Sequence, residues 1–167
     1  MAVATAVLDG AAVGVTLEAA VPGSLDTGSR DGVLYVRAEQ VLEAARWLHD
    51  GEYDLKFLSA VTGVDLWDSF EVVYHLFSLN QNSQLVVKTR LPDHADPKVA
   101  SVVPIWYGAH LQEREVYDLM GIRFEGHPDL KRIFLWEGFP GYPLRKDWLG
   151  MPGGLKSGLA HFPNQKP

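Results

Sequence analysis

The 167-residue chain contains no cysteine. That absence removes disulfides, a thiolate nucleophile, cysteine-held zinc and any conventional iron-sulfur cluster. A surplus of positive charge is missing too: 15 Lys and Arg stand against 21 Asp and Glu, for a formal net charge of -6. Phosphate binding needs a basic excess, so this balance argues against a nucleic-acid partner. The nucleotide-cradling loops GxGxxG and GxxxxGK[ST] are absent. The opening stretch from Met1 to Ala20 is rich in Ala and Val, but it carries Asp9 and Glu18 and no basic n-region. It falls short of the ~18 uninterrupted apolar residues of a membrane span. The expectation is a cytoplasmic protein without an anchor of its own.

What is present is the make-up of one globular domain: 47% hydrophobic and 22% charged residues leave neither a disordered nor a fibrous chain. One strand is expected within Val13 to Glu18, with a turn at Pro22, Gly23 and Ser24. Val33 to Val36 reads as a short strand. Val41, Ala44, Ala45 and Leu48 recur at i, i+3, i+4 and i+7, which predicts an amphipathic helix from about Ala38 to His49, stopped by Gly51. Leu55 to Val64 fits either a short helix or a strand. Phe70 to Leu79 and the alternating Gln84 to Leu91 predict a hairpin across the polar turn Asn80 to Ser83, ended by Pro92. The first of these strands is apolar on nearly both faces and the second has one wet face. The first is therefore expected to be central and the second nearer an edge.

Pro97 and Pro104 punctuate a connector, after which Ala109 to Met120 reads as a helix closed by Gly121. Its narrow apolar stripe is Ala109, Val116, Leu119 and Met120, which leaves Glu113, Arg114, Glu115, Tyr117 and Asp118 on a wide polar arc. Gly121 to Pro128 reads as a short strand into a rigid turn, with a strand-like pattern resuming from Leu130 to Leu135. The whole predicts an α+β fold, a mixed β-sheet with flanking helices forming one compact domain over residues 1–149. Residues 150–167 are expected to be an extended C-terminal tail.

Between Glu113 and Asp147 lie thirteen charged residues, seven acids and six bases, among Tyr117, Phe124, Phe134, Trp136, Phe139 and Tyr142. Balanced charge in an acidic protein points to pairing, and aromatics with Arg are the composition of binding hot spots. Arg114 and Asp118 stand one helical turn apart, close enough to pair. The same spacing fits a solvated face whose exposed pairs contribute ~0 to 1 kcal/mol each. His127 has no second His or Cys at ligand spacing, so it reads as a turn-stabilising residue; the six histidines make no metal motif. Glu113, Asp118 and His127 could also serve as acid-base groups of a stand-alone enzyme, provided that they converge on a pocket.

Three ordered blocks carry a resemblance: Glu113 to Ile122 (EREVYDLMGI), Gly126 to Ile133 (GHPDLKRI) and Gly141 to Asp147 (GYPLRKD). Together they closely resemble the signature of the C subunit of NADH:quinone oxidoreductase (NDH-1), the 30 kDa subunit family of complex I. Weaker similarity runs back through Val73 to Leu76 and Leu58 to Asp65, so the likeness covers roughly Val33 to Trp148. Leu111 stands where the family usually has Trp and Met120 where it often has Phe; both keep apolar bulk, so the interior is expected to adjust at modest cost.

The resemblance implies a non-catalytic peripheral-arm subunit on the cytoplasmic side of the cell (inner) membrane. By it the chain holds no cofactor, and FMN and Fe-S clusters belong to partner subunits. The implied partners within complex I are the hydrogenase-like large subunit, termed D, together with the B subunit and the ferredoxin-like I subunit. The residues expected at those interfaces are Glu113, Arg114, Glu115, Tyr117, Asp118, Arg123, His127, Arg132, Tyr142, Arg145, Lys146 and Asp147. Replacing Arg145 by Ala is expected to spare the fold and weaken assembly. The same blocks also suit the equivalent subunit of an energy-converting [NiFe] hydrogenase or of a ferredoxin- or plastoquinone-linked dehydrogenase.

Overall fold

The hairpin expected in the middle of the chain organises everything else. In the computed structural model, which describes residues 4–148 and 150, β4 (Phe70–Ser78) and β5 (Ser83–Leu91) pair antiparallel from Phe70↔Leu91 to Ser78↔Ser83. Asn82 takes a left-handed conformation in the turn (φ 48), and the Ser78 hydroxyl accepts the Gln81 N–H at 3.1 Å. On the far side of β4 lies β3 (Phe57–Asp65), again antiparallel, so the ambiguous stretch after Leu55 is a strand.

β5 is no nearer an edge than β4, against the expectation. The short β1 (Ala6–Val7) and β2 (Val33–Tyr35) both pair with it in parallel, which leaves β3 at the border of the five-stranded sheet. A wet face reports what lies above a strand, whereas an edge reports what lies beside it. The alternation of β5 carries only the first kind of information.

The expected strand at Val13 to Glu18 is instead part of helix α1 (Gly10–Ala20), capped by Asp9, whose Oδ1 accepts the Ala11 N–H at 2.9 Å. Its buried residues, Gly10, Val13, Gly14 and Leu17, keep helical spacing, but two of the four are glycines and give no hydrophobic signal. Those glycines set the packing distance: a Cβ on Gly10 would stand 2.0 Å from the Val33 carbonyl oxygen, and one on Gly14 2.7 Å from Leu25.

Ala38–Gln40 form a 3-10 turn that leads into α2 (Val41–Asp50), which buries Val41, Ala44, Ala45 and Leu48 as its periodicity requires. The proline-punctuated connector holds β6 (Lys98–Ala100), too short to register as a pattern; it pairs in parallel with β7 (Arg123–Glu125). Between these two strands runs α3 (Ala109–Met120), ended by Gly121 in the left-handed conformation (φ 75). Val116, Met120 and Ile122 pack over Gly63 of β3, and Phe124 and Phe70 are among the largest wholly buried side chains. No strand forms from Leu130 to Leu135, because the main-chain donors of that segment are turned toward α3. Of the tail expected over 150–167, all but Gly150 lies outside the described residues.

Candidate functional site

The polar arc assigned to α3 is two surfaces. Glu113 and Asp118 are both 0% exposed, while Glu115 is open to solvent. Glu113 points into the sheet side, where the Ser101 hydroxyl donates to Oε2 (2.6 Å) and the Val102 N–H to Oε1 (2.8 Å). Burial outweighs these two bonds and pushes its carboxyl up to about 7. The phenol of Tyr74 is wholly buried, without a hydrogen-bond partner among the described residues, and is pushed well above its usual range by burial and then by Glu113.

Asp118 behaves oppositely. Burial alone would raise its pKa, but Oδ2 accepts the N–H groups of Leu135, Phe134 and Ile133 at 3.0, 2.7 and 3.0 Å. Arg132 Nη1 donates to Oδ1 at 3.1 Å, and the sum holds the carboxyl below its ordinary value of 3.8. The expected Arg114–Asp118 pair does not form. Arg114 instead donates to the carbonyls of Lys131 (3.0 Å) and Arg132 (3.3 Å) and faces Asp129 at 3.6 Å. Both helical residues thus hold the loop that follows β7, where main-chain groups offer more partners than one exposed ion pair.

The last turn is held by cations set between rings. Arg132 lies over Phe139 (5.9 Å) and Tyr142 (5.1 Å); Arg145 lies over Tyr142 (4.8 Å) and Phe70 (5.2 Å). His94 stacks on Phe70 at 4.5 Å, and Arg145 Nε donates to the Met120 carbonyl at 2.6 Å. The Lys146 N–H reaches Asp65 Oδ2 (2.8 Å), while its ammonium sits over Trp67 (5.6 Å).

Asp65, His94 and Asp147 offer ligand atoms within 4.8 Å of one another. Their geometry suits a clasp better than a metal: His94 Nε2 faces Asp65 (3.5 Å) and Nδ1 faces Asp147 (4.0 Å), so the two ring nitrogens serve different carboxylates. Both Asp65 oxygens already accept main-chain N–H groups, from Trp67 and Lys146. Asp65 and His94 escape sequence reasoning because they lie far from Asp147 in the chain and no local spacing links the three.

His127 is the turn-stabilising residue its surroundings suggest. Its Nε2–H donates to the His110 carbonyl (2.9 Å), its Nδ1 accepts the Asp129 N–H (3.0 Å), and burial lowers its pKa. Glu113, Asp118 and His127 are each committed to a different segment. Arg123 pairs with Asp96 (2.7 Å) on the surface, and Tyr117 meets Tyr142 edge-on.

Among the interface candidates, then, Glu113 and Asp118 are corrected to interior fasteners, and Arg114, Arg132 and Arg145 bind main-chain groups of their own chain. What the fastened segments present outward is apolar: Phe134 (64% exposed), Trp136, Leu144 and, on α3, Leu111 (59%). Leu111 therefore lies outside the interior, where Met120 alone of the two unusual residues is buried.

Residues 34–151 match the model of the family described as "Respiratory-chain NADH dehydrogenase, 30 Kd subunit". The chain belongs to that family. It is 44% identical over 129 residues to the second C subunit of the NADH-quinone oxidoreductase of Rhizobium etli (strain CIAT 652), covering 74% of this chain and 68% of that relative. It is 45% identical over 115 residues to the C/D subunit of the NADH-quinone oxidoreductase of Phocaeicola vulgatus, covering 68% of this chain and 22% of the longer protein. A chain in the structure of the membrane-bound sulfane sulfur reductase (MBS), an archaeal respiratory membrane complex, shares the fold with a TM-score of 0.70 at 24% identity over 96% of both chains. Among the described residues, no helix is long and apolar enough to cross a membrane.

Proposed function

We propose that the chain is a non-catalytic, cofactor-free peripheral-arm subunit of a proton-translocating NADH:quinone oxidoreductase. Held at the cytoplasmic face of the membrane by its neighbours, it braces the quinone-reducing module while FMN and Fe-S centres of partner subunits carry electrons. The hydrogenase-like D subunit, the B subunit and the ferredoxin-like I subunit are the partners. The relative named as a C/D subunit supports the D subunit as an immediate neighbour.

The observation that carries this reading is the Asp118 carboxylate, which fixes three consecutive main-chain N–H groups and so displays Phe134 outward beside a half-buried Leu135. A buried anion spent on a loop makes sense where the loop must keep one shape for a partner, since preorganised segments lose less entropy on docking. Apolar and aromatic side chains supply most contact energy at such interfaces, with charges at the rim. Glu115, Arg123, Lys146 and Asp147 stand at that rim, and Arg114, Tyr117, His127, Arg132, Tyr142 and Arg145 hold the displayed surface in place.

The test is a Phe134→Ala, Trp136→Ala double variant expressed as the full chain in its native membrane. The expected result is an unchanged thermal transition, with recovery of the assembled complex and its quinone reductase activity falling at least tenfold, as for loss of anchors contributing about 2 kcal/mol or more. Unchanged recovery and activity would contradict the reading.

A further inference from the structure

The border strand β3 leaves main-chain groups unmet. In its antiparallel pairing with β4, the pairs Thr62↔Val73 and Val64↔Glu71 fall in phase with the Leu66 N–H bond to the Ser69 carbonyl, so they exchange the ladder bonds. The main-chain groups of Val61, Gly63 and Asp65 therefore turn away from the sheet. Gln112 Oε1 accepts the Val61 N–H at 2.5 Å, in keeping with that direction. Gly63 N–H and C=O have no partner among the described residues. Proteins blunt open edges with bulges, prolines, charges or covering elements. The first half of β3 has two such devices, an irregularity between Leu58 and Ala60 and the Gln112 cap; Gly63 has none.

Beside this edge runs a groove of about 150 Å3, between Val61 and Gly63 on one side and Val116, Leu119, Met120 and Leu144 on the other. It is half the size of the smallest drug-sized pockets, which begin at about 300 Å3, but it suits a single aliphatic side chain. A Cβ on Gly63 would meet Met120 Sδ at 2.5 Å, so α3 packs close to the strand there and the groove opens beside that contact. Glu115 lines the same groove, exposed and without an ion-pair partner among the described residues, whereas Asp118 and Asp129 on neighbouring segments are both paired.

We propose that the edge of β3 at Gly63 receives an extended segment of another protein of the complex, which adds to the sheet as a short further strand. Its main chain bonds to Gly63, one apolar side chain fills the groove, and a Lys or Arg two residues away on the same face meets Glu115. Open edge groups select an extended chain over a helix, and the lone carboxylate selects a basic neighbour. The inference rests on the brace reading and names the mode of one of its contacts.

The test uses the assembled complex purified from membranes, with a photo-crosslinking side chain in place of the exposed Leu144. The expected adduct is to one neighbouring protein, in an extended segment with an apolar and a basic residue two apart. Hydrogen exchange at Gly63 is expected to be slowed in the same complex. Glu115→Arg is expected to lower complex recovery about tenfold, restored when the neighbour's base is made acidic. An adduct to a helix, to a second copy of this chain or to nothing, with respiratory subunits still co-purifying, overturns the strand docking and leaves the brace standing. If no respiratory protein accompanies even the unaltered chain, the brace reading fails and the docking fails with it.

Discussion

Arg132 closes on Asp118 twice, its Nη1 donating to the side-chain Oδ1 at 3.1 Å and to the main-chain carbonyl at 3.2 Å. The guanidinium Nη2 donates to the Gly141 carbonyl at 3.1 Å, so one residue ties the end of α3 to two later turns. With three N–H donors on Oδ2, the carboxylate is desolvated and fully satisfied, the condition under which a buried ion pair is costly to break.

Asp118→Ala is accordingly expected to destabilise the protein by about 3 to 5 kcal/mol, because it strands a guanidinium and three main-chain donors. Chemical denaturation of the full chain measures this. The pH dependence follows from the depressed carboxyl: its stabilisation is present above the ordinary value of 3.8 and is lost as pH falls through the lower folded value. Asp118→Asn should flatten that acid limb.

Glu113 has the opposite sign. Its folded pKa of about 7 lies above the ordinary 4.5, so the native state binds the extra proton in between and stability falls as pH rises across that interval. The drop is on the order of 3 kcal/mol, complete above pH 7. Glu113→Gln is expected to remove the slope between pH 4.5 and 7 while leaving the acid limb set by Asp118, as read from melting curves across that range.

Arg145→Ala cannot be the silent fold variant that the sequence alone suggests. Its guanidinium lies between the Tyr142 and Phe70 rings and bonds to Met120, so truncation is expected to free the turn around residues 140–148 locally. Two cation–π contacts and the hydrogen bonds to the Met120 and His94 carbonyls put the loss at about 2 to 3 kcal/mol. Faster proteolysis confined to that turn, with the sheet still protected from hydrogen exchange, is the expected pattern.

Gly121→Ala should be among the costliest single-methyl changes in the chain. The residue sits at φ 75, and a Cβ there would lie 2.5 Å from the Tyr142 ring and 2.8 Å from Arg145 Nη2. Strain and overpacking together are expected to cost about 2 to 4 kcal/mol, seen as a lowered denaturation midpoint with an unchanged slope.

The parts of the fold legible in the sequence are those whose own periodicity decides their state. β5, α2 and α3 bury one face at regular spacing, β4 is an apolar run buried on nearly both faces, and Gly121 ends α3 as a glycine at that position should. α1 reads wrongly as a strand because Gly10 and Gly14 occupy half its buried face. β6 is invisible because three residues make no period, and the interior position of β5 depends on strands that join it from elsewhere in the chain. Within the site, residue types point to dense pairing, and among the described residues that pairing is made within the chain. Which way each charge faces is not legible: Glu113 and Glu115 stand two apart on one helix, and only the loops packed on either side decide that one is buried and the other free.

Purification of the tagged full chain from its native membrane, followed by identification of every co-purifying protein, tests the central claim most directly. The brace account expects stoichiometric D, B and I subunits with NADH:quinone reductase activity, and loss of all three from the Phe134→Ala, Trp136→Ala variant. Recovery of the chain alone, or in company with proteins unrelated to electron transfer, would contradict it.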